Sequence, residues 1–319
     1  MSAVTQSSHA AVSNRYPSPT LVLSDQIGGQ GRLVPNEERL ARGVYVLADD
    51  KIACWVAALL SSLRRFNPDL PVILVPHEDE HPGLLEVAAA FSQVYVLSRD
   101  FERFDRIGRQ ILRGRGIARA PRYRKLAVFN GPFENFLFID ADCVVLSSLD
   151  ALFEAHDRYD LVFNNFAAPG RNFAEESLGD LMSSVSGDPR AAAGYNSAFF
   201  GARRGVVPEG MFARLGRSAD RLRGLLGTAT DQALISYCAC TLGLSTTRYE
   251  DAVEGWCSDF RVPQQLALRD GRFVRGNEQG AASLSVLHWG GDKNQSPMPG
   301  REILEAFYPF EDFDPGAFT

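Results

Sequence analysis

One short stretch of the sequence decides the fold, because it reads as a buried strand that runs straight into two carboxylates. The stretch is Phe136-Leu137-Phe138-Ile139-Asp140-Ala141-Asp142-Cys143-Val144-Val145-Leu146. Apolar residues stand on both sides of the acidic pair, which is typical of a strand that a sheet covers on both faces. Side chains at positions i and i+2 of a strand point to the same side, so Asp140 and Asp142 aim two carboxylates at one point.

The chain upstream of this stretch alternates short apolar strands with helical segments. We predict strands at residues 44–48, 72–75 and 94–97 and helices at residues 52–66 and 84–91. This order is typical of a parallel sheet whose strands are joined by helical crossovers.

The chain downstream of the acidic pair is more mixed. We predict strands at residues 161–164, 195–200 and 284–287 and helices at residues 214–226 and 231–242. The sequence therefore predicts an α/β fold, Rossmann-like, with a mostly parallel central sheet flanked by helices and a smaller mixed second half. We expect residues 1–42 to be a polar tail and lead-in, partly disordered, and residues 43–319 to be one domain.

Composition excludes several classes of protein. The 319 residues carry 33 basic and 39 acidic side chains, a net charge of −6, which argues against a general nucleic-acid binder. No apolar run approaches the roughly 20 residues that cross a bilayer, so we predict no transmembrane segment. We see no signal peptide, and the five cysteines form no Cys-x-x-Cys pair, which favours reduced thiols in a cytoplasmic protein. The oligomeric state stays open.

Two carboxylates at the carboxyl edge of a parallel sheet repel each other unless a cation neutralises them or one binds a proton. Mg²⁺ and Mn²⁺ prefer oxygen ligands and usually bind together with substrate phosphates. His288 ends a late apolar strand and offers a third ligand, which suits Mn²⁺. Gly290 and Gly291 permit close backbone approach, and Lys293 offers an ammonium group to a phosphate.

In this order the motifs resemble the GT-A-fold nucleotide-sugar glycosyltransferases, most closely family 8, the glycogenin and bacterial galactosyltransferase group. The residues that carry the resemblance are the strand 44–49, Lys125-Leu126, the strand with its acidic pair at 136–142, Tyr195-Asn196-Ser197, Thr230-Asp231-Gln232 and His288 to Lys293. The resemblance implies a transfer of sugar, with retention, from a UDP-linked donor to a carbohydrate or other hydroxyl acceptor.

The resemblance also implies a role for each matching position. The metal ligands for Mn²⁺ or Mg²⁺ are Asp140, Asp142 and His288. The nucleotide-sugar-binding residues are Val46, Ala48, Asp49, Arg124, Lys125, Ala141, Gly291 and Lys293, with Lys125 or its neighbour Arg124 reaching the diphosphate or the donor sugar. The residues that face the donor sugar or the acceptor are Asn196, Asp231 and Gln232.

The sequence departs from the family in one place and leaves two alternatives open. Lys293 is followed by Asn294-Gln295 instead of Pro-Trp, and its spacing from His288 is one residue shorter. A phosphatase of the haloacid-dehalogenase type would use Asp140 as its nucleophile, although Cys143-Val144-Val145 stands where Thr or Ser is expected. A sugar-nucleotide-binding relative without catalysis is the other alternative.

One basic stretch has no assigned role. Eight basic residues and no acidic one lie between Arg106 and Lys125. Most of these arginines fit a solvated helix face, and one or two of them are candidates to face a phosphate.

Overall fold

The computed structural model describes residues 33–113, 116–167, 172–173, 179–180, 183–184, 187, 189–226, 230–259, 266–269, 272–275, 283–290, 298 and 300–309. The predicted tail up to residue 32 and the predicted residues Gly291 and Lys293 lie outside these ranges.

The first half of the chain alternates strands and helices as predicted. The elements are β1 (Leu33–Pro35), β2 (Leu40–Ala48), α1 (Ala53–Phe66), β3 (Val72–Pro76), α2 (Pro82–Ala90), β4 (Val94–Ser98), α3 (Glu102–Leu112), a 3₁₀ segment (Ile117–Asn130) and β5 (Phe133–Ile139). β3 is wholly buried, and β2 and β5 are buried mainly over their carboxyl-terminal halves, because helices cover the sheet on both faces there.

The second half is mixed. It contains β6 (Cys143–Val145), α4 (Asp150–Ala155), β7 (Leu161–Phe163), β8 (Phe199–Arg203), α5 (Glu209–Leu225), α6 (Thr230–Leu242), β9 (Thr246–Arg248), α7 (Tyr249–Ala252), β10 (Ser258–Asp259), β11 (Leu266–Arg269), β12 (Arg272–Arg275), β13 (Val286–His288) and α8 (Arg301–Phe307). None of the helices in the described ranges combines the length and apolarity that crossing a bilayer requires.

The main sheet has eight strands in the order β1-β4-β3-β2-β5-β8-β7-β9. The five strands from β1 to β5 are mutually parallel, β8 runs antiparallel to both β5 and β7, and β9 is parallel to β7. Strand alternation divides the core into two layers, since Val44 and Val46 pack with α1 and α2 whereas Tyr45 packs with α3, α5 and α6. The predicted mostly parallel α/β sheet with a mixed second half is confirmed.

Two details differ from the predictions. Leu33–Pro35 lies in the predicted lead-in, yet it pairs with β4 at the edge of the sheet. The strand predicted at 195–200 begins only at Phe199, because the Asn196 side-chain oxygen accepts a hydrogen bond from the Ala198 amide (2.8 Å) and forms a turn there.

A small second sheet lies beside the carboxyl end of β5. It has the order β10-β13-β6, and β6 runs antiparallel to β13 with Cys143 opposite His288. This pairing brings the residue after the acidic pair next to the end of a strand that lies far away in the sequence.

Candidate active site

The acidic pair lies where the chain leaves the main sheet for the small one. β5 ends at Ile139, and the Asp140 amide donates to the carbonyl of Ala198 (2.7 Å). Asp142 directly precedes β6, and its carbonyl accepts from the amide of Trp289 (2.9 Å). The backbone therefore fixes both ends of the acidic pair.

Asp142 and His288 form the first part of the site. The Nε2 atom of His288 lies 3.1 Å from a carboxylate oxygen of Asp142, and both side chains are nearly buried. The Cys143 thiol is close by, and the ligand atoms of these three residues all lie within 4.8 Å of one another. A carboxylate oxygen and an imidazole nitrogen suit Mn²⁺, whereas a thiolate is a softer ligand. Two of the three predicted metal ligands are thus together, and Cys143 is a neighbour that the sequence analysis did not select.

Lys125 forms the second part of the site, between two carboxylates. Its ammonium nitrogen lies 3.1 Å from Asp140 and 3.2 Å from Asp231, and it donates to the carbonyl (3.2 Å) and the hydroxyl (3.3 Å) of Ser197. The nitrogen also lies 4.5 Å from the centre of the Phe138 ring. The third predicted metal ligand, Asp140, is therefore paired with Lys125, but 32% of its side chain is exposed against 11% for Asp142, so it stays accessible to solvent.

The contacts and the burial of Lys125, Asp140 and Asp231 determine their pKa values. Burial by itself lowers the pKa of Lys125, but the carboxylates of Asp140 and Asp231 raise it above its ordinary value, so the amine stays protonated. Burial raises the pKa of Asp231, but Lys125 more than offsets this and the pKa ends below its ordinary value. The pKa of Asp140 is raised, mainly by burial and then by repulsion from Asp142, with Lys125 acting in the opposite direction.

The start of α6 and the turn before β8 supply polar side chains. Asp231 and Gln232 occupy the first turn of α6. Asp231 accepts from the Ser197 hydroxyl (3.2 Å), and the Gln232 side chain accepts from the Ser197 amide (3.2 Å) while it donates to Asn172 (2.8 Å). Asn196 uses its oxygen for the turn before β8. The three predicted sugar-facing residues thus meet around Ser197.

A further group of predicted residues lies at the end of β2 and in the acidic pair's loop. Val46, Ala48 and Ala141 are buried, and the Asp49 side chain accepts from the Ile52 amide (3.2 Å). His77, which follows β3, brings its Nδ1 atom to 3.6 Å from Asp49. His77 is not among the residues predicted for the site, although its position directly after the neighbouring parallel strand β3 marks it.

Arg124 and Lys125 have different surroundings. Arg124 makes a two-pronged ion pair with Asp105 (2.7–3.2 Å), binds Asp79 (2.7 Å) and the Pro76 carbonyl (3.1 Å), and stacks over Phe101. These contacts use its NH donors to fasten α3 to the end of β3. Lys125 is therefore the member of this basic pair that meets the acidic residues of the cleft.

Comparisons with solved structures identify the fold. The galactosyltransferase LgtC, solved in complex with donor and acceptor sugar analogues, is similar with a TM-score of 0.50 and 12% identity over 86% of this chain and 98% of that chain. Mouse xyloside xylosyltransferase 1 in its apo form gives a TM-score of 0.48 and 11% identity over 82% and 99% of the two chains. Core-mannan synthase A from Aspergillus fumigatus, in its Mn/GDP form, gives 0.44 and 14% over 74% and 82%. No family profile and no curated protein matches the sequence.

At this level of identity the likeness establishes the fold alone. The chain has the GT-A fold, as predicted, and the TM-scores below 0.5 add nothing to that assignment. This fold does not favour the alternative that the protein is a phosphatase of the haloacid-dehalogenase type.

Proposed function

We propose that this protein is a metal-dependent glycosyltransferase that moves a sugar from a nucleotide-diphosphate donor to a hydroxyl acceptor. The observation that carries the proposal is the pairing of Asp142 with His288 (3.1 Å) at the carboxyl edge of a GT-A sheet, beside a buried lysine that meets two further carboxylates. Ligands of α/β sheets bind at this edge. The UDP-linked donor and the retention of anomeric configuration rest on the resemblance to family 8.

The residues at the edge fit a divalent cation. Asp142 and His288 present an oxygen and a nitrogen ligand with Cys143 near them, and Asp140 has exposed surface toward the cleft. Asp142, His288 and Asp140 would hold Mn²⁺ or Mg²⁺. When bound, such an ion supplies Lewis-acid stabilisation to the departing diphosphate.

The protein's own charged groups stabilise the other charges of the reaction. Lys125 stays protonated and holds a buried positive charge 3.1 Å from the Asp140 carboxylate. Asp231 stays ionised next to it, which suits the positive charge that develops on the sugar ring and the orientation of the acceptor hydroxyl. Gln232 and Asn196 hold the Ser197 turn that positions Lys125.

The proposal also covers where the nucleotide base binds and in which compartment the protein works. Val46, Ala48 and Ala141 give apolar walls near Asp49, where a base and its ribose would bind. We further propose that the protein works in the cytoplasm, since its five cysteines form no Cys-x-x-Cys pair and fit reduced thiols.

A thermal-shift panel of nucleotide sugars with and without Mn²⁺ tests this function. A ligand at one hundred times its Kd stabilises the native state by about 2.7 kcal/mol and therefore raises Tm. Because the proposed metal would hold the diphosphate, we expect a donor to raise Tm only when Mn²⁺ is present. Asp142→Asn is expected to lose that shift and sugar transfer, whereas the matched surface variant Asp69→Asn keeps both. Proton NMR of the product's anomeric signal then distinguishes retention from inversion. Full transfer by Asp142→Asn, or in excess chelator, would refute the metal-dependent mechanism.

A further inference from the structure

Two surface helices away from the candidate active site lie side by side in the same direction. Phe104 of α3 packs edge-on against Phe212 of α5, with ring centres 5.4 Å apart. Near the amino ends, Arg103 lies 3.2 Å from Glu209, and near the carboxyl ends Arg223 donates to the Gln110 carbonyl (3.4 Å). The two helices therefore form one continuous surface.

This surface carries two rows of arginines. The members, which we call the basic face, are Arg106, Arg109 and Arg113 on and just after α3 and Arg214, Arg217 and Arg221 on α5. In each row the spacing is i, i+3, i+7, which places the three side chains on one side of a helix. All six residues are exposed, and the buried side chains of both helices point the opposite way.

The acidic residues of these two helices do not cancel the positive charge. Residues 102–113 and 209–225 contain eight arginines and four acidic residues, a net charge of +4 in a chain whose total is −6. Asp105 is turned inward to the buried Arg124, while Glu102, Glu209 and Asp220 are held by arginines of the same surface. Within the described ranges, the α5 row has no carboxylate in ion-pair contact, so its charge is available to a partner.

An exposed apolar residue follows the α3 row of the basic face in the sequence. Ile117 begins the 3₁₀ segment four residues after Arg113, and 51% of its surface is exposed. Among the described residues, Ile117 and Leu33 are the exposed large apolar side chains. Arg119 follows two residues later and is exposed as well.

We propose that the basic face docks this protein onto an anionic lipid surface, with Ile117 entering the boundary between headgroups and acyl chains. Two parallel helices present their arginines over a broad face, which matches a layer of phosphate headgroups better than a single small ligand. Basic residues near such a surface each add affinity, and an inserted apolar side chain is the second signal that stable binding needs. A soluble polyanion would form ion pairs with the arginines but would offer no apolar environment to the Ile117 side chain. The proposal does not depend on the sugar transfer proposed above.

Co-sedimentation of the full chain with vesicles tests the docking. We expect binding to phosphatidylcholine vesicles that contain phosphatidylglycerol, none to phosphatidylcholine alone, and loss of binding at about 1 M salt, where the Debye length is about 3 Å. The triple variant R214Q/R217Q/R221Q is expected to lower the partition coefficient by about a hundredfold, or about fivefold for each arginine. The matched control R39Q/R42Q/R272Q changes the net charge equally on exposed arginines elsewhere and is expected to bind like the wild type.

A second variant separates the apolar contact from the charges. Ile117→Ser is expected to weaken binding by about tenfold while its salt dependence stays that of the wild type. Circular dichroism of each variant verifies that its fold is intact. Equal binding to neutral and anionic vesicles, equal loss in the control triple variant, or an unchanged partition of Ile117→Ser would overturn the proposal. Capture by soluble polyphosphate that anionic vesicles do not displace would also overturn it and assign the basic face to a polyanionic chain.

Discussion

A buried histidine makes the stability of this fold depend on pH in a calculable way. His156 lies at the end of α4 and is only 3% exposed. Its Nδ1 atom lies 2.5 Å from the side-chain oxygen of Asn135, and its Nε2 atom lies 2.8 Å from the Tyr249 hydroxyl. The amide of Asn135 donates to the carbonyl of Phe153, which leaves its oxygen as the acceptor for Nδ1–H. The neutral ring thus donates to Asn135 and accepts from Tyr249.

Protonation disturbs both the charge and this hydrogen-bond pattern. A second ring hydrogen would point at the buried hydroxyl of Tyr249, whose own hydrogen then loses its acceptor. Burial, and secondly the charge of Arg203, lower the pKa of His156 from the ordinary 6.5 to about 4. Because the pKa in the folded protein is the lower one, the neutral ring stabilises the fold fully above pH 6.5, and this stability is lost as the pH falls toward 4.

The magnitude follows from the difference between the two pKa values. Each pH unit corresponds to about 1.4 kcal/mol, so the whole effect is about 3 kcal/mol, and about 1.4 kcal/mol of it is lost at pH 5.5. Urea unfolding of the wild type and of His156→Gln at pH 7.5 and 5.5 measures it. We expect the wild type to lose about 1.4 kcal/mol more than the variant between these values.

All other titratable groups are the same in the wild type and in His156→Gln, so their contribution to the pH dependence of stability cancels in the comparison. His81→Gln, which removes a partly exposed histidine, serves as the control for the replacement of a histidine by glutamine. If His156→Gln loses as much stability as the wild type over this pH range, the reasoning about the buried ring is wrong.

Two further predictions concern the lysine of the candidate active site and a crowded glycine. Lys125→Met removes the cation between two carboxylates and is expected to lower the free energy of unfolding by about 3–5 kcal/mol in urea. Adding Asp231→Asn to that variant should recover part of the loss, and strict additivity of the two changes would refute the pairing. Gly201→Ala places a Cβ atom 2.5 Å from the histidine ring described above and should cost about 1–3 kcal/mol. Gly210→Ala, at an open position of α5, is the matched control and should not destabilise the protein; equal losses at both glycines would contradict the crowding argument.

Those parts of the fold that depend on local pattern were predictable from the sequence. Apolar runs with helical segments between them identified the parallel strands, and polar residues at the ends of apolar strands marked Asp140, Asp142 and His288. The structure places Asp142 and His288 3.1 Å apart. The same rule, applied to β3, would have selected His77.

Contacts between residues that are far apart in the sequence were not predictable. Arg124 and Lys125 are adjacent and both basic, and nothing local distinguishes them. Asp105, nineteen residues upstream, binds Arg124, whereas Asp231 on α6 meets Lys125. The proximity of Cys143 to Asp142 and His288 likewise depends on the register of β6 against β13. Sequence spacing does not encode that register.

The pairing of β6 with β13 sets an order of events during synthesis. Asp142 and His288 are 146 residues apart, so a ribosome must add nearly half of the chain before the imidazole can meet the carboxylate. In a small zinc finger the ligands are close in sequence and the ion drives folding. If the proposed site binds an ion, the strands that carry Asp142 and His288 have to pair first, and binding of the ion follows. Binding of the metal would therefore indicate that the carboxyl-terminal half has already folded against the sheet.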